Sequence, residues 1–340
     1  MKRPTNMDAL DALYIIAAKD GRGDALFGNT MEIARPALQR TLIGNSYPSL
    51  YLEFPLLGKP CFDFLTIYGD VESGAQFAPD AGYGYQAMID WFRGIKPLNR
   101  VVSCGLELDT SSGETERAGV YLQQRHRHEL VEPFLKSVGE VQRAQGYLKA
   151  LERMPQGWPP SYVGLFPGRD GTPLRIGGYM DNSEHDLCTR DAEHLGASFK
   201  QIGFSAFNTD MLERCTKFME LAPSVDFQFD IMQDGSLGNT FGLSLSFNET
   251  RPREAHDCMD TGYGAKLMRL LQDWGLADDR WKLIADAAFS RYVPFEREDG
   301  SIGSFYLCIR FNYAKIKFVS GEPQPAKFYL SCSAGELEEA

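Results

Sequence analysis

The sequence predicts an α+β protein: a closed antiparallel β-barrel of ten strands, built from five hairpins and surrounded by α-helices. Two observations lead there. Strand-like pairs and helical stretches alternate along the chain, which ends on a fifth strand pair. The strands themselves alternate apolar and polar side chains, so one face of the sheet asks for a helical cover and the other for water. Consecutive antiparallel hairpins satisfy both demands by closing on themselves, which also removes the exposed sheet edge.

Helical periodicity covers residues 8–18 and 30–42, an N-terminal segment within residues 1–44 that is expected to pack on a single barrel domain spanning residues 45–335. The first hairpin is SLYLEFPLL and CFDFLTIYG around Gly58, Lys59 and Pro60, followed by the helix YGYQAMIDWFRGI. The second is VVSCGLELDT and AGVYLQQR joined by SSGETER, followed by a long helical stretch over residues 128–154. The third, SYVGLFP and PLRIGGYM, turns at residues 168–171, and helices over residues 191–203 and 208–222 follow. The fourth, SVDFQFDIM and NTFGLSLSFNE, turns at Asp234 and Gly235 and precedes helices over residues 265–274 and 280–290. The fifth is SFYLCIRFNYAKIKFV and AKFYLSC, turning at Gly321, Glu322 and Pro323.

Alternation separates the faces. Val225, Phe227, Phe229 and Ile231 share one face against Asp226, Gln228 and Asp230; Leu243, Leu245 and Phe247 oppose Ser244, Ser246 and Asn248. Helices over the polar face would bury unpaired groups at about 1–3 kcal/mol each, so the polar face is expected to line the lumen. An open sheet with helices on one side and solvent on the other is the alternative. In the barrel reading Tyr51, Glu53, Glu107, Asp109, Tyr121, Gln123, Arg175, Tyr179, Tyr306, Arg310, Lys327 and Tyr329 point inward, with Lys315 or Lys317 according to a bulge expected near Tyr313.

Such a lumen carries chemistry of two kinds. Arg and Lys suit phosphate oxygens, and tyrosine faces suit an apolar tail or a carbocation. Glu53 and Glu107 are candidate general bases or counter-ions to an inward arginine. Lysines on an edge strand, facing solvent, are the competing account of Lys315 and Lys317. Asp226 and Asp230, about 13 Å apart along a strand, are too distant to share one divalent ion directly.

Composition narrows the classes further. The 340 residues are 43% hydrophobic with a formal charge of -11, the wrong sign for a protein whose main partner is a nucleic-acid backbone or an anionic membrane. No apolar run has the roughly 18 residues a span requires, no signal-peptide pattern opens the chain, and a cytoplasmic protein is expected. Seven dispersed cysteines argue against a disulfide framework or a zinc cage, and His126 and His128 fall at a solvated junction, so no protein-bound metal is expected. GK[ST], GxGxxG after a strand, GxSxG and HExxH are all absent.

The repeated order of strand pair and helix, over Tyr47 to Cys332, resembles the ABBA prenyltransferase barrel. SLYLEF, GYQAMIDWF and VVSCGLELDT are similar to the first two units of the peptide-modifying, cyanobactin-type members, and KFYL resembles the K-x-Y strands of the wider group. That resemblance implies transfer of an isoprenoid from dimethylallyl or geranyl diphosphate, with magnesium as its only accompanying ion, to a peptide or an aromatic small molecule. It implies Glu53 as base, Arg175, Arg310, Lys317 and Lys327 for the diphosphate, and Tyr179, Tyr306 and Tyr329 as a carbocation shield. The chain departs from the pattern where a basic residue is expected in CFDFLTI and AGVYLQQ, which carry Asp63 and Ala118 or Gly119, and in the uncharged GLSLSF. Two other expectations follow from those departures: an enzyme on the same barrel that modifies a peptide or small molecule without a prenyl diphosphate, and a silent binding scaffold.

Overall fold

The structure, a computed structural model, describes residues 6–18, 21–39, 41, 49–69, 85–97, 101–110, 114–167, 171–222, 224–247, 250–297 and 299–336. The expected segment boundary at 44/45, Tyr47, the turn residues 168–170 and Asn248 lie outside them.

Five antiparallel hairpins form the barrel: β1 (Ser49–Pro55) with β2 (Asp63–Tyr68), β3 (Ser103–Asp109) with β4 (Glu114–Gln123), β5 (Pro160–Leu165) with β6 (Leu174–Tyr179), β7 (Val225–Ile231) with β8 (Leu237–Ser246), and, after the short β9 (Phe289–Glu296), β10 (Ile302–Val319) with β11 (Glu322–Glu336). Neighbouring hairpins pair in chain order, and β11 pairs with both β1 and β10, closing ten strands on themselves. The barrel reading replaces the open-sheet alternative.

Helices fill the connections. α1 (Asn6–Ala18), α2 (Arg22–Phe27) and α3 (Thr30–Gln39) precede the barrel; α4 (Gln86–Ile95) follows the first hairpin; α5 (Val131–Ser137) and α6 (Ala144–Leu151) follow the second. α7 (Asn182–Arg190), α8 (Ala192–Ile202) and α9 (Thr209–Met219) follow the third, and α10 (Ala255–Asp260) and α11 (Tyr263–Asp273) the fourth. Their apolar faces meet the outer faces of the strands. Trp158, Phe199, Phe227, Phe229 and Phe241 are all at most 1% exposed and interlock, with ring centres 5.1 Å apart for Trp158 and Phe227 and 4.7 Å for Phe199 and Phe241. At about 1.5–3 kcal/mol per buried large side chain, this layer between barrel and helices holds the fold together.

Three local departures from the sequence reading have physical causes. The stretch over residues 128–154 is not one helix; Gly139 takes φ +79° and separates α5 from a 3-10 turn (Val141–Arg143) and α6. Residues 280–290 are not an α-helix either. A 3-10 segment over Asp279–Ala287 gives way to β9, whose Tyr292, Val293 and Phe295 favour a strand and whose Pro294, lacking an N–H, is tolerated at a sheet edge. The last hairpin turns at Ser320 and Gly321, both with positive φ, so Glu322 and Pro323 already pair with Val319 and Phe318. Among the described residues no helix is long and apolar enough to cross a membrane.

Candidate active site in the barrel lumen

Inward-facing residues of successive strands surround one chamber, whose space open to the centres of water-sized molecules is about 180 Å³, more than tenfold what one water needs. Its lining includes Tyr51, Glu53, Glu107, Tyr121, Arg175, Tyr179, Lys315 and Tyr329 of the residues singled out from sequence. The phase of β10 comes from an extra residue: the ladder to β11 slips between Phe311 and Tyr313, leaving Asn312 as the insert. Arg310 precedes the bulge and Lys315 and Lys317 follow it at odd positions, so both lysines share the inward phase and neither is an edge-strand lysine.

Arg175 and Lys315 line this site, and the charges of Lys317 and Lys327 reach them from just outside. Lys315 stands directly across from Lys327 in the β10–β11 ladder, an arrangement that like charges disfavour. Burial, followed by the nearby Arg175 guanidinium, pushes Lys315 down to about 8, and the same two causes lower Lys317. Lys315 Nζ donates to Gln228 Oε1 at 2.6 Å. Arg175 Nη1 donates to the Tyr121 hydroxyl at 2.7 Å and lies 3.8 Å from Glu107; its Nε lies 3.8 Å from Asp230. Burial opposes the charge on Arg175, but Tyr121, Glu107 and Asp230 outweigh it and hold the guanidinium ionised.

Carboxylates answer those cations. Glu53 accepts from both Lys327 Nζ and the Tyr329 hydroxyl. Burial would raise Glu53, yet Lys327 and Lys315 together with those hydrogen bonds bring it down to about 2. Glu107 accepts from the Tyr121 hydroxyl. Asp226 differs: burial raises it to about 7, against the opposing hydrogen bond from Tyr313 and the charge of Lys315.

The remaining sequence candidates sit elsewhere. Tyr306 does not line the chamber; it lies where β10 pairs with β9, its ring centre 5.4 Å from Tyr292, because the half of β10 before the bulge runs beyond the barrel strands. Arg310 is exposed and donates to Ser331 Oγ at 3.2 Å, although its charge reaches Tyr51. Lys317 and Lys327 are outside the lining but act on it through Arg175 and Glu53.

Other lining groups escaped the sequence reading. Tyr162 was legible in principle, since Val163 and Leu165 are the outward residues of its strand. Arg125 was not: it follows β4 in a positive-φ conformation that alternation does not cover. Glycines seat the tyrosines against the wall. A Cβ at Gly177 would overlap the Tyr162 ring, and one at Gly164 would overlap that of Tyr121. Gly177→Ala is therefore expected to swing Tyr162 into the chamber, costing about 1–3 kcal/mol by overpacking and abolishing any ligand-induced rise in unfolding temperature. An unchanged ligand response in this variant would mean that the ring has room to move aside.

Outside the chamber, Glu184, Cys188 and His194 form the one cluster of potential metal ligands found among the described residues. Glu184 Oε1 there already accepts from Trp158 Nε1 at 3.0 Å and Ser198 Oγ at 3.2 Å and lies 3.0 Å from His194 Nε2, which explains it as a polar tie between α7, α8 and Trp158. All seven cysteines are free thiols.

A closed ten-stranded barrel of five hairpins, helices outside and polar chamber within, is the ABBA-type prenyltransferase fold. Among solved structures, 5-dimethylallyltryptophan synthase from Streptomyces coelicolor is similar over 97% of this chain and 97% of its own, with TM-score 0.54 and 15% identity. The apo form of the prenyltransferase PriB matches over 97% and 96%, with TM-score 0.56 and 13% identity; its binary complex with product diphosphate matches over the same shares, with TM-score 0.51 and 12% identity. No known family profile and no curated protein matches the sequence.

Proposed function

We propose that this protein transfers a prenyl group from an allylic diphosphate to an aromatic acceptor, free or within a peptide. The observation that carries the reading is a set of mutually repelling cations at one tyrosine-lined chamber: Arg175 and Lys315 line it, and the charges of Lys317 and Lys327 reach theirs from just outside. The folded chain holds like charges together against their own repulsion, and a polyanion in their midst would relieve it. In this reading Arg175 and Lys315 bind the diphosphate and stabilise it as it leaves, with the charges of Lys317 and Lys327 behind them, so magnesium enters only as a companion of the donor. Tyr121, Tyr162, Tyr179 and Tyr329 face the allylic cation and keep water from it. Glu53, tied to Lys327 and Tyr329, positions those partners; the lysines that hold its carboxyl well below the usual carboxylate range make it a poor acceptor for a proton. The fold likeness to proteins described as a dimethylallyltryptophan synthase and a prenyltransferase supports the same reading.

A second reading has its own observation: Lys327 and Arg175 already face carboxylates, Glu53 in one case and Glu107 and Asp230 in the other. A chamber so compensated would suit a peptide or small molecule that brings no diphosphate. Thermal unfolding with inorganic pyrophosphate, dimethylallyl thiodiphosphate and geranyl thiodiphosphate, each with magnesium or with a chelator, separates the two. At 100 times its Kd a ligand adds about 2.7 kcal/mol. A rise in unfolding temperature that persists with chelator and is larger for the isoprenoid thiodiphosphates is expected; no rise with any of the three supports the second reading.

A further inference from the structure

We infer that Asp226 is the group that takes the proton an aromatic acceptor loses when it is prenylated, an inference that rests on the proposed prenyl transfer and adds to it the acceptor side of the site. Three features single out this carboxylate. It lines the chamber from β7. Glu53, Glu107 and Asp230 each have a cationic nitrogen within 4.0 Å, whereas Asp226 makes no salt bridge among the described residues. Its surroundings are hydroxyl-bearing and aromatic: Tyr179 of β6 and Ser244 of β8 are its register partners, Tyr313 of β10 hydrogen-bonds to it, and Tyr162 of β5 feels its charge. The charged group facing it is Lys315, also of β10, and the charge of Arg125 reaches its register partner Tyr179. A ring held among Tyr51, Tyr179 and Tyr313 would thus have a carboxylate beside it and the cation cluster beyond Lys315.

The step balances within the chamber. The C1–O bond of the donor breaks and its electron pair leaves with the diphosphate; a ring carbon of the acceptor bonds to C1, and the resulting arenium ion gives its ring proton to an Asp226 oxygen as the C–H pair restores aromaticity. Proton release to water then regenerates the carboxylate. Burial places Asp226 at about 7, close to where a group that must both take and release a proton works best.

The test uses dimethylallyl diphosphate with L-tryptophan and with short tyrosine- and tryptophan-containing peptides. In Asp226→Asn, transfer is expected to fall about 100-fold or more, the range for a lost general base. Binding of dimethylallyl thiodiphosphate, and slow hydrolysis of the donor to dimethylallyl alcohol without acceptor, are expected to stay at the wild-type level, because ionisation of the donor needs no base. Wild-type transfer should decline below about pH 7, a limb that Asp226→Asn lacks and Asp226→Glu retains. An Asp226→Asn enzyme that transfers at the wild-type rate, or keeps the acid limb, overturns the assignment while leaving prenyl transfer standing. A wild type that neither binds the thiodiphosphate nor prenylates any of these acceptors overturns the underlying reading, and the inference with it.

Discussion

Arg175→Met should cost about 3 kcal/mol of stability near pH 7.5 and remove the response to diphosphates. The guanidinium is three-quarters buried and is shared by Tyr121, Glu107 and Asp230. Methionine fills much of the same volume but leaves two carboxylates facing a chamber with no countercharge from β6, and stranding buried charge costs about 3–5 kcal/mol. The lower end of that range applies because Glu107 and Asp230 remain partly solvated, at 18% and 11% side-chain exposure. Replacing the stranded carboxylates by their amides relieves the penalty, so the deficit should shrink when Arg175→Met is combined with Glu107→Gln and Asp230→Asn. Chemical unfolding of the wild type, the single variant and the triple variant checks this. A deficit that the two amides leave unchanged would mean that lost packing, not stranded charge, is the cause.

The distinction bears on function because Arg175 also sets its neighbours. Its charge depresses both Lys315 and Lys317, so its removal should raise their basicity while deleting one member of the cation cluster. A chamber that loses its diphosphate response with Arg175 but not with the exposed Arg310 would locate the anion within the lumen.

Alternation made the barrel legible. Val225, Phe227, Phe229 and Ile231 had to face a cover, and Asp226, Gln228 and Asp230 had to face one another's strands around a lumen; each of the first four is at most 1% exposed. Period-two patterning is a local property and survives tertiary assembly, so Glu53, Glu107, Tyr121, Arg175 and Tyr329 could be placed from sequence alone. What alternation does not carry is a change of phase. The inserted Asn312 makes even positions inward before it and odd positions after it, and only the ladder to β11 locates the slip. The extension of β10 beyond the barrel is likewise a matter of partner length, which is why Tyr306 follows the inward phase without reaching the chamber. Gly139 and β9 were hidden for another reason: helical periodicity persists across a single positive-φ glycine, and a short strand next to a 3-10 segment has too few residues to declare its period. Pairing within the lumen was the least legible of all. Asp226 and Asp230 lie on one face of one strand, yet Asp230 meets Arg175 and Asp226 meets hydroxyls, a difference set by β5, β6 and β10 together.

That difference gives Asp226 a second expected signature, in stability. Its carboxyl is raised from 3.8 to about 7 in the folded chain, chiefly by burial. The folded state therefore holds the proton more tightly than the unfolded one between those two values. Stability from the neutral acid is complete below about pH 4 and is lost as the pH climbs to about 7, beyond which ionised Asp226 is a constant burden. Roughly 3 units at 1.36 kcal/mol each set an upper bound of about 4 kcal/mol; the partial exposure of the side chain to the chamber argues for about half of that. Asp226→Asn keeps the shape and can still accept the Tyr313 hydroxyl while removing the charge. It should leave the unfolding temperature unchanged near pH 4 and raise it by a few degrees at pH 8. A gain of equal size at both pH values would point to packing, and a loss at pH 8 would mean that ionised Asp226 is stabilised by Lys315 more than burial disfavours it. A variant that is more stable yet slower would be the expected behaviour of a carboxylate kept at a cost for its chemistry.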